Sequence, residues 1–142
     1  MSLVANGTVV MIVDDDSELR GCLADVLEME GYEPRPVRSA DSAWTEMVKG
    51  TKPAAIILDQ WIAGMSSGEF ICRLRASRFA DVPVLMLSGA PPARKFGQDL
   101  DAVLQKPVEN TTLVRAVDKL IGPKRSPRMF ADPADSAMQQ VA

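Results

Sequence analysis

Four apolar runs each stop at a polar residue whose type suits the handling of a phosphoryl group. Thr8–Val13 leads into Asp14 and Asp15, Ala54–Leu58 into Asp59, Pro83–Leu87 into Ser88, and Ala102–Gln105 into Lys106-Pro107. A carboxylate such as Asp59 can attack phosphorus and carry the group as an acyl phosphate. Asp14 and Asp15 add negative charge that a hard divalent cation would offset, and Mg²⁺ is commonly held by one or two carboxylates, water and phosphate oxygens. Ser88 offers a hydroxyl donor to a phosphoryl oxygen. Lys106 offers a compact positive charge on a flexible stem, suited to an anionic phosphoryl group or a neighbouring carboxylate. Each has a plainer alternative: a turn or cap aspartate at Asp59, helix caps at Asp14–Asp16, and a loop serine beside Gly89. Asp16 is expected to do no more than cap.

These residues can meet only if the runs are strands that point the same way. In a parallel α/β sheet the carboxyl ends share one edge, and ligands bind in the crevice outside it. The chain alternates strand and helix patterns five times, the mark of a mostly parallel sheet with helices on both faces. Helices are expected over about Asp16–Glu30, Ala40–Lys49, Ser67–Ser77 and Glu109–Ile121, each with apolar residues at helical spacing. Gly31 and Gly122-Pro123 are placed as stops. The second strand, Tyr32–Val37, carries Pro34 and Pro36, so it belongs at a sheet edge where missing donors can face solvent. An edge second strand is what a flavodoxin-like order 2-1-3-4-5 requires. Trp44 lies on an apolar helix stripe, which gives it a core or groove role. Cys22 and Cys72 lie on the predicted stripes too and are expected to act as small buried hydrophobes.

Composition narrows the function classes. A chain of 142 residues with 46% hydrophobic content fits one domain with its own core. The net charge of −3 gives no dominant nucleic-acid footprint. No apolar run approaches the roughly 20 residues of a membrane-spanning helix, and Met1–Gly7 lacks the features of a secretory signal. A cytoplasmic protein is expected. The sequence has no histidine, which excludes histidine triads, histidine metal ligands and a phosphohistidine on this chain. From Gly122 onward prolines and a basic patch at Lys124, Arg125 and Arg128 suggest a mobile tail, with a short helix near Asp135–Val141 weakly signalled.

The order of acid pair, single aspartate, hydroxyl and Lys-Pro resembles the receiver domain of bacterial two-component response regulators, over about Val9–Ile121. The resemblance implies a doubly wound five-stranded parallel sheet and a division into an N-terminal extension (1–7), a receiver domain (8–121) and a flexible tail (122–142). It implies Mg²⁺ held by Asp14, Asp15, Asp59 and the backbone carbonyl of Trp61. It also implies phosphorylation on Asp59, with Ser88 as switch hydroxyl, Lys106 as the paired lysine and the Lys106-Pro107 bond typically cis. The partners implied are a sensor histidine kinase or phosphotransfer protein and a downstream protein, with a homodimer open. No direct nucleic-acid contact and no membrane are expected, and no turnover beyond self-phosphorylation and self-dephosphorylation.

The chain departs from the family's usual pattern in three places. Around the acceptor that pattern reads Asp-x-x-Met-Pro-Gly-x-Asp-Gly; here Ala63 replaces the proline and Ser67 the glycine. Val103 stands where an aromatic switch residue is expected. Ser88 to Lys106 spans 18 positions, about one helical turn short of the family's usual interval, so Ala90–Asp99 is expected to form only a shortened fourth helix. The side chain of Trp61 either obstructs a hydrolytic water or merely covers the loop. Two other readings remain: a pseudo-receiver that acts as a phosphorylation-independent interaction module, and, remotely, a haloacid dehalogenase-type phosphohydrolase.

Overall fold

A computed structural model describes residues 8–62, 64–89 and 100–122. Five strands and four helices follow one another along them: β1 (Val9–Val13), α1 (Ser17–Met29), β2 (Glu33–Val37), α2 (Ala40–Val48), β3 (Ala55–Asp59), α3 (Ser67–Arg75), β4 (Val84–Ser88), β5 (Ala102–Gln105) and α4 (Asn110–Ile121). Every strand pair is parallel, and the order is β2-β1-β3-β4-β5. The expected sheet is therefore present. The shortened helix expected over Ala90–Asp99, the extension 1–7, residue 63 and the tail beyond Gly122 lie outside the described residues.

The sequence builds this sheet by strict alternation within the buried strands. Met11, Val13, Ile56, Leu58, Val84 and Met86 face one way and pack with Ala43, Met47, Phe70, Ile71 and Leu74 from α2 and α3. Val10, Ile12, Ala55, Ile57, Leu85 and Leu87 face the other way, onto Leu23, Leu27, Leu113, Val117 and Ile121 from α1 and α4. Pro34 and Pro36 lie opposite Val10 and Ile12 on an edge strand, as their missing donors demand.

Local signals set the helix ends. Asp16 caps α1 by accepting from the amides of Glu18 and Leu19, Ser39 caps α2, and Ser66 caps α3. Gly31 takes a positive φ of 94° just after α1, a conformation that residues with a Cβ avoid. Trp44 packs edge-to-face on Phe70 and Phe79, with centroids 6.4 and 6.0 Å away, so its core role holds.

The cysteines differ from expectation. Both Cys22 and Cys72 are exposed. In α1 the covered line runs through Leu23 and Leu27, and in α3 through Ser67, Phe70, Ile71 and Leu74. Each cysteine sits about 100° round the helix from a neighbour on that line, outside the narrow covered face.

Arg75 ties three elements together at the amino edge of the sheet. Its guanidinium donates to the carbonyls of Ala80 at 2.8 Å and Val82 at 2.7 Å, and pairs with Asp101 at 3.0 Å. Asp101 in turn accepts from the amide of Val84 at 2.8 Å. This clamp fixes where β5 starts, and hence where Lys106 emerges at its far end.

Candidate functional site at the carboxyl edge

The parallel register brings the strand ends together. Asp59 is the last residue of β3 and pairs with Leu87, while Ser88 ends β4 opposite Gln105. The ladder continues one step past the strands: the amide of Gln60 donates to Leu87, and that of Lys106 to Ser88 at 2.7 Å. Asp59, Ser88 and Lys106 are thus set by backbone pairing, and only their side chains remain to be placed.

Lys106 Nζ lies 2.6 Å from Asp59 Oδ1. Asp59 is 6% exposed, so this charge-assisted contact answers most of its burial. Burial alone would lower the Lys106 pKa. The hydrogen bond and charge of Asp59, helped by Asp14 and Asp16, outweigh it and leave the ammonium held above the ordinary lysine value. The Lys106-Pro107 bond is cis, as the resemblance implied.

The acid pair divides its labour. Asp14 is 1% exposed, whereas Asp15 is open to solvent. The β1–α1 turn is fixed around Asp14: its Oδ1 accepts from the Asp16 amide at 2.9 Å, its carbonyl accepts from Arg20 Nη1 at 2.8 Å, and its amide donates to Val37. Its Oδ2 is buried with no hydrogen-bond partner among the described residues. Burial raises the Asp14 pKa, and the charges of Asp59 and Asp15 add to it, against lowering by the Asp16 amide and by Lys106.

One oxygen from each of Asp14, Asp15 and Asp59 lies within 4.8 Å of the others. Three carboxylates so close, one with an orphaned buried oxygen, are costly without a cation. All-oxygen ligation by carboxylates suits a hard divalent ion such as Mg²⁺. The residues present therefore fit the expected metal. Trp61 follows in the turn after β3 and is 75% exposed as a residue.

Sequence reasoning gave two neighbours of the site no role there. Ser67 Oγ is placed to donate to the carbonyls of Asp59 at 3.0 Å and Gln60 at 2.6 Å, strapping the exit of β3 to the first turn of α3. A serine where a glycine was expected was the available signal. Gln60 Oε1 accepts from the Ser88 hydroxyl at 2.5 Å. An amide directly after the candidate acceptor was the signal there. Val103, in place of the expected aromatic, pairs with Met86 and packs against the core on the α2–α3 side of the sheet.

Comparison with known proteins agrees with this geometry. Residues 10–118 match the response regulator receiver domain. The chain is 37% identical over 81 residues to the nitrogen assimilation regulatory protein NtrX of Azorhizobium caulinodans, covering 56% of this chain and 18% of that protein. It is 32% identical over 125 residues to the phosphate regulon transcriptional regulatory protein PhoB of Pseudomonas aeruginosa, covering 82% of this chain and 54% of that one. It spans about half or less of these relatives. Among solved structures, a response regulator of Chloroflexus aurantiacus aligns with a TM-score of 0.73 at 29% identity, over 80% of this chain and 97% of the other. The response regulator protein TrrA of Thermotoga maritima, in complex with Mg²⁺ and BeF, shares the fold at a TM-score of 0.72 and 24% identity, over 80% of this chain and 98% of the other. Sheet order, strand-end residues and sequence match converge: the chain belongs to the response regulator receiver domains of two-component signalling systems.

Proposed function

We propose that this chain is a phosphoacceptor: Asp59 takes a phosphoryl group from the phosphohistidine of a sensor kinase or phosphotransfer protein, in a Mg²⁺-dependent step, and the modified domain changes its partner contacts. The observation that carries the reading is the Lys106–Asp59 pair at 2.6 Å beside Asp14 Oδ2, which has no partner among the described residues. Lys106 engages Oδ1, which leaves Oδ2 of Asp59 as the attacking oxygen. The new P–O bond forms as the P–N bond of the donor breaks, giving an acyl phosphate on Asp59 and a neutral imidazole on the donor. Lys106 and the Ser88 hydroxyl are suited to the charge on the transferred oxygens. Asp14, Asp15, Asp59 and the Trp61 carbonyl would hold Mg²⁺, which supplies charge neutralisation for the phosphoryl oxygens.

The same reading takes 8–121 as the receiver proper and 122–142 as a linker or tail. It places the protein in the bacterial cytoplasm, acting through protein partners or a second copy rather than directly on nucleic acid. The chemistry is self-modification rather than turnover of a free substrate.

The test is intact mass after incubation with acetyl phosphate, with and without Mg²⁺, for the parent chain and Asp59→Asn. A phosphoryl-sized gain that needs both Mg²⁺ and Asp59 is expected. No gain under any condition would overturn the acceptor reading and leave a phosphorylation-independent interaction module.

A further inference from the structure

We propose that Gln60 is a latch on the switch hydroxyl: in the unphosphorylated protein its side-chain oxygen holds the Ser88 proton, and a phosphoryl group on Asp59 must take that proton from it. The proposal rests on the reading of Asp59 as acceptor and Ser88 as its hydroxyl donor. It adds a positioning residue that tunes the balance between the two states.

The geometry is specific about the proton. Ser88 Oγ and Gln60 Oε1 are 2.5 Å apart, and Ser88 is 1% exposed. That separation suits O–H···O and is too short for N–H···O, so the amide oxygen, not its nitrogen, faces the hydroxyl. A hydroxyl has one proton to give and an amide oxygen can only accept. While it is donated to Gln60, that proton is unavailable to an oxygen bound at Asp59.

Gln60 is also held so that its side chain alone has to yield. Its amide donates to Leu87 at 2.9 Å and its carbonyl accepts from Ser67 at 2.6 Å. Main chain fixed on both sides by β4 and α3 leaves side-chain torsions as the free variable. Release of Ser88 would then swing the amide within the turn that carries Trp61 and leads to α3. The β5 side offers less room, because Val103 is packed into the core.

A double-mutant cycle on the full chain tests the latch. Gln60→Met keeps the length of the side chain and removes the acceptor. Beryllofluoride at saturating Mg²⁺ is the phosphoryl mimic, with affinity read by calorimetry. Losing the competitor should tighten beryllofluoride binding by roughly two- to tenfold, the range of one net hydrogen bond. In the Ser88→Ala background the same substitution should change nothing, and Mg²⁺ affinity should be equal in all four proteins. In the unmodified protein, the Gln60 side-chain amide resonance should move on Ser88→Ala. Equal beryllofluoride affinity with and without Gln60→Met, or the same change in both backgrounds, overturns the latch while leaving the acceptor reading intact. Failure of the parent chain to bind beryllofluoride at all overturns that reading and the competition with it.

Discussion

Asp14→Asn should make the metal-free protein more stable while removing its response to Mg²⁺. The substitution keeps the acceptor that the Asp16 amide needs, since an asparagine oxygen can occupy the place of Oδ1. It removes a buried charge whose second oxygen has no partner among the described residues. Asp14 and Asp59 oxygens lie within 4.8 Å, and at that separation like charges repel by roughly 3.5 kcal/mol at an effective dielectric near 20. Lys106, paired to Asp59, cancels much of this, so a net gain of about 1–2 kcal/mol is the reasonable expectation. For a domain of this size that is roughly 4–8 °C in melting temperature. Thermal denaturation in EDTA should show it. Adding Mg²⁺ to a tenfold excess over its Kd should raise the parent by about 1.4 kcal/mol and the variant by nothing. The pH dependence has a definite sign. The folded Asp14 binds its proton more tightly than the unfolded one, whose value is near 3.8. Its penalty is therefore full above the raised folded pKa and is relieved as pH falls towards 3.8. The advantage of the variant should shrink across that window. A variant less stable than the parent in EDTA at neutral pH would refute the reasoning, because the orphaned carboxylate would then be stabilising.

Lys106→Met leaves Asp59 buried without its partner; discounted for the partial exposure of the lysine, this should cost about 1–2 kcal/mol in urea denaturation. It should also slow phosphorylation from acetyl phosphate at least tenfold without weakening Mg²⁺ binding, and weaker Mg²⁺ binding would show that the lysine shapes the acid cluster instead. Trp61→Asn should shorten the phosphorylated lifetime several-fold in a mass-based decay assay, if the exposed indole obstructs the attacking water; an unchanged lifetime would reduce it to a loop cover. Arg75→Ala should cost about 2 kcal/mol by orphaning the carbonyls of Ala80 and Val82 and freeing Asp101. It should lower the melting temperature while leaving Mg²⁺ affinity within twofold. A large loss of Mg²⁺ affinity would show that the clamp acts on the site.

The parts legible in the sequence were those with a short-range cause. Proline spacing in Glu33–Val37 marked the edge strand because a missing donor has only one tolerable location in a sheet. Apolar runs ending in Asp59, Ser88 and Lys106 pointed to residues that meet at one edge, because parallel strands share that edge whatever their separation in sequence. The cysteines misled because three or four apolar positions define a stripe but not its width. Cys22 and Cys72 fall just beyond the covered line in helices packed on one side only. Arg75 and Asp101 were invisible because their meeting depends on how the loop between α3 and β4 brings Ala80 and Val82 to the Arg75 guanidinium beside the start of β5, and no periodicity encodes that.

Gln60 shows where pattern reading stops and what lies past it. Its backbone role is fixed by β4 pairing and would be the same for any residue, so strand logic gives its position and nothing of its side chain. The side chain matters because two hydrogen-bond requirements coincide on Ser88: a hydroxyl at 1% exposure needs an acceptor in the resting protein, and one proton cannot serve two acceptors. On the proposed acceptor reading, the site must therefore satisfy this donor in some other way when the phosphoryl oxygen is absent. Asp14 presents the mirror image, an acceptor whose Oδ2 has no donor among the described residues. Satisfying the donor internally makes the resting state cheaper and binding weaker; leaving the acceptor unsatisfied does the reverse. The difference in affinity between metal and phosphoryl group should follow from that asymmetry. Asp14→Asn and Gln60→Met should thus move the two affinities in opposite directions.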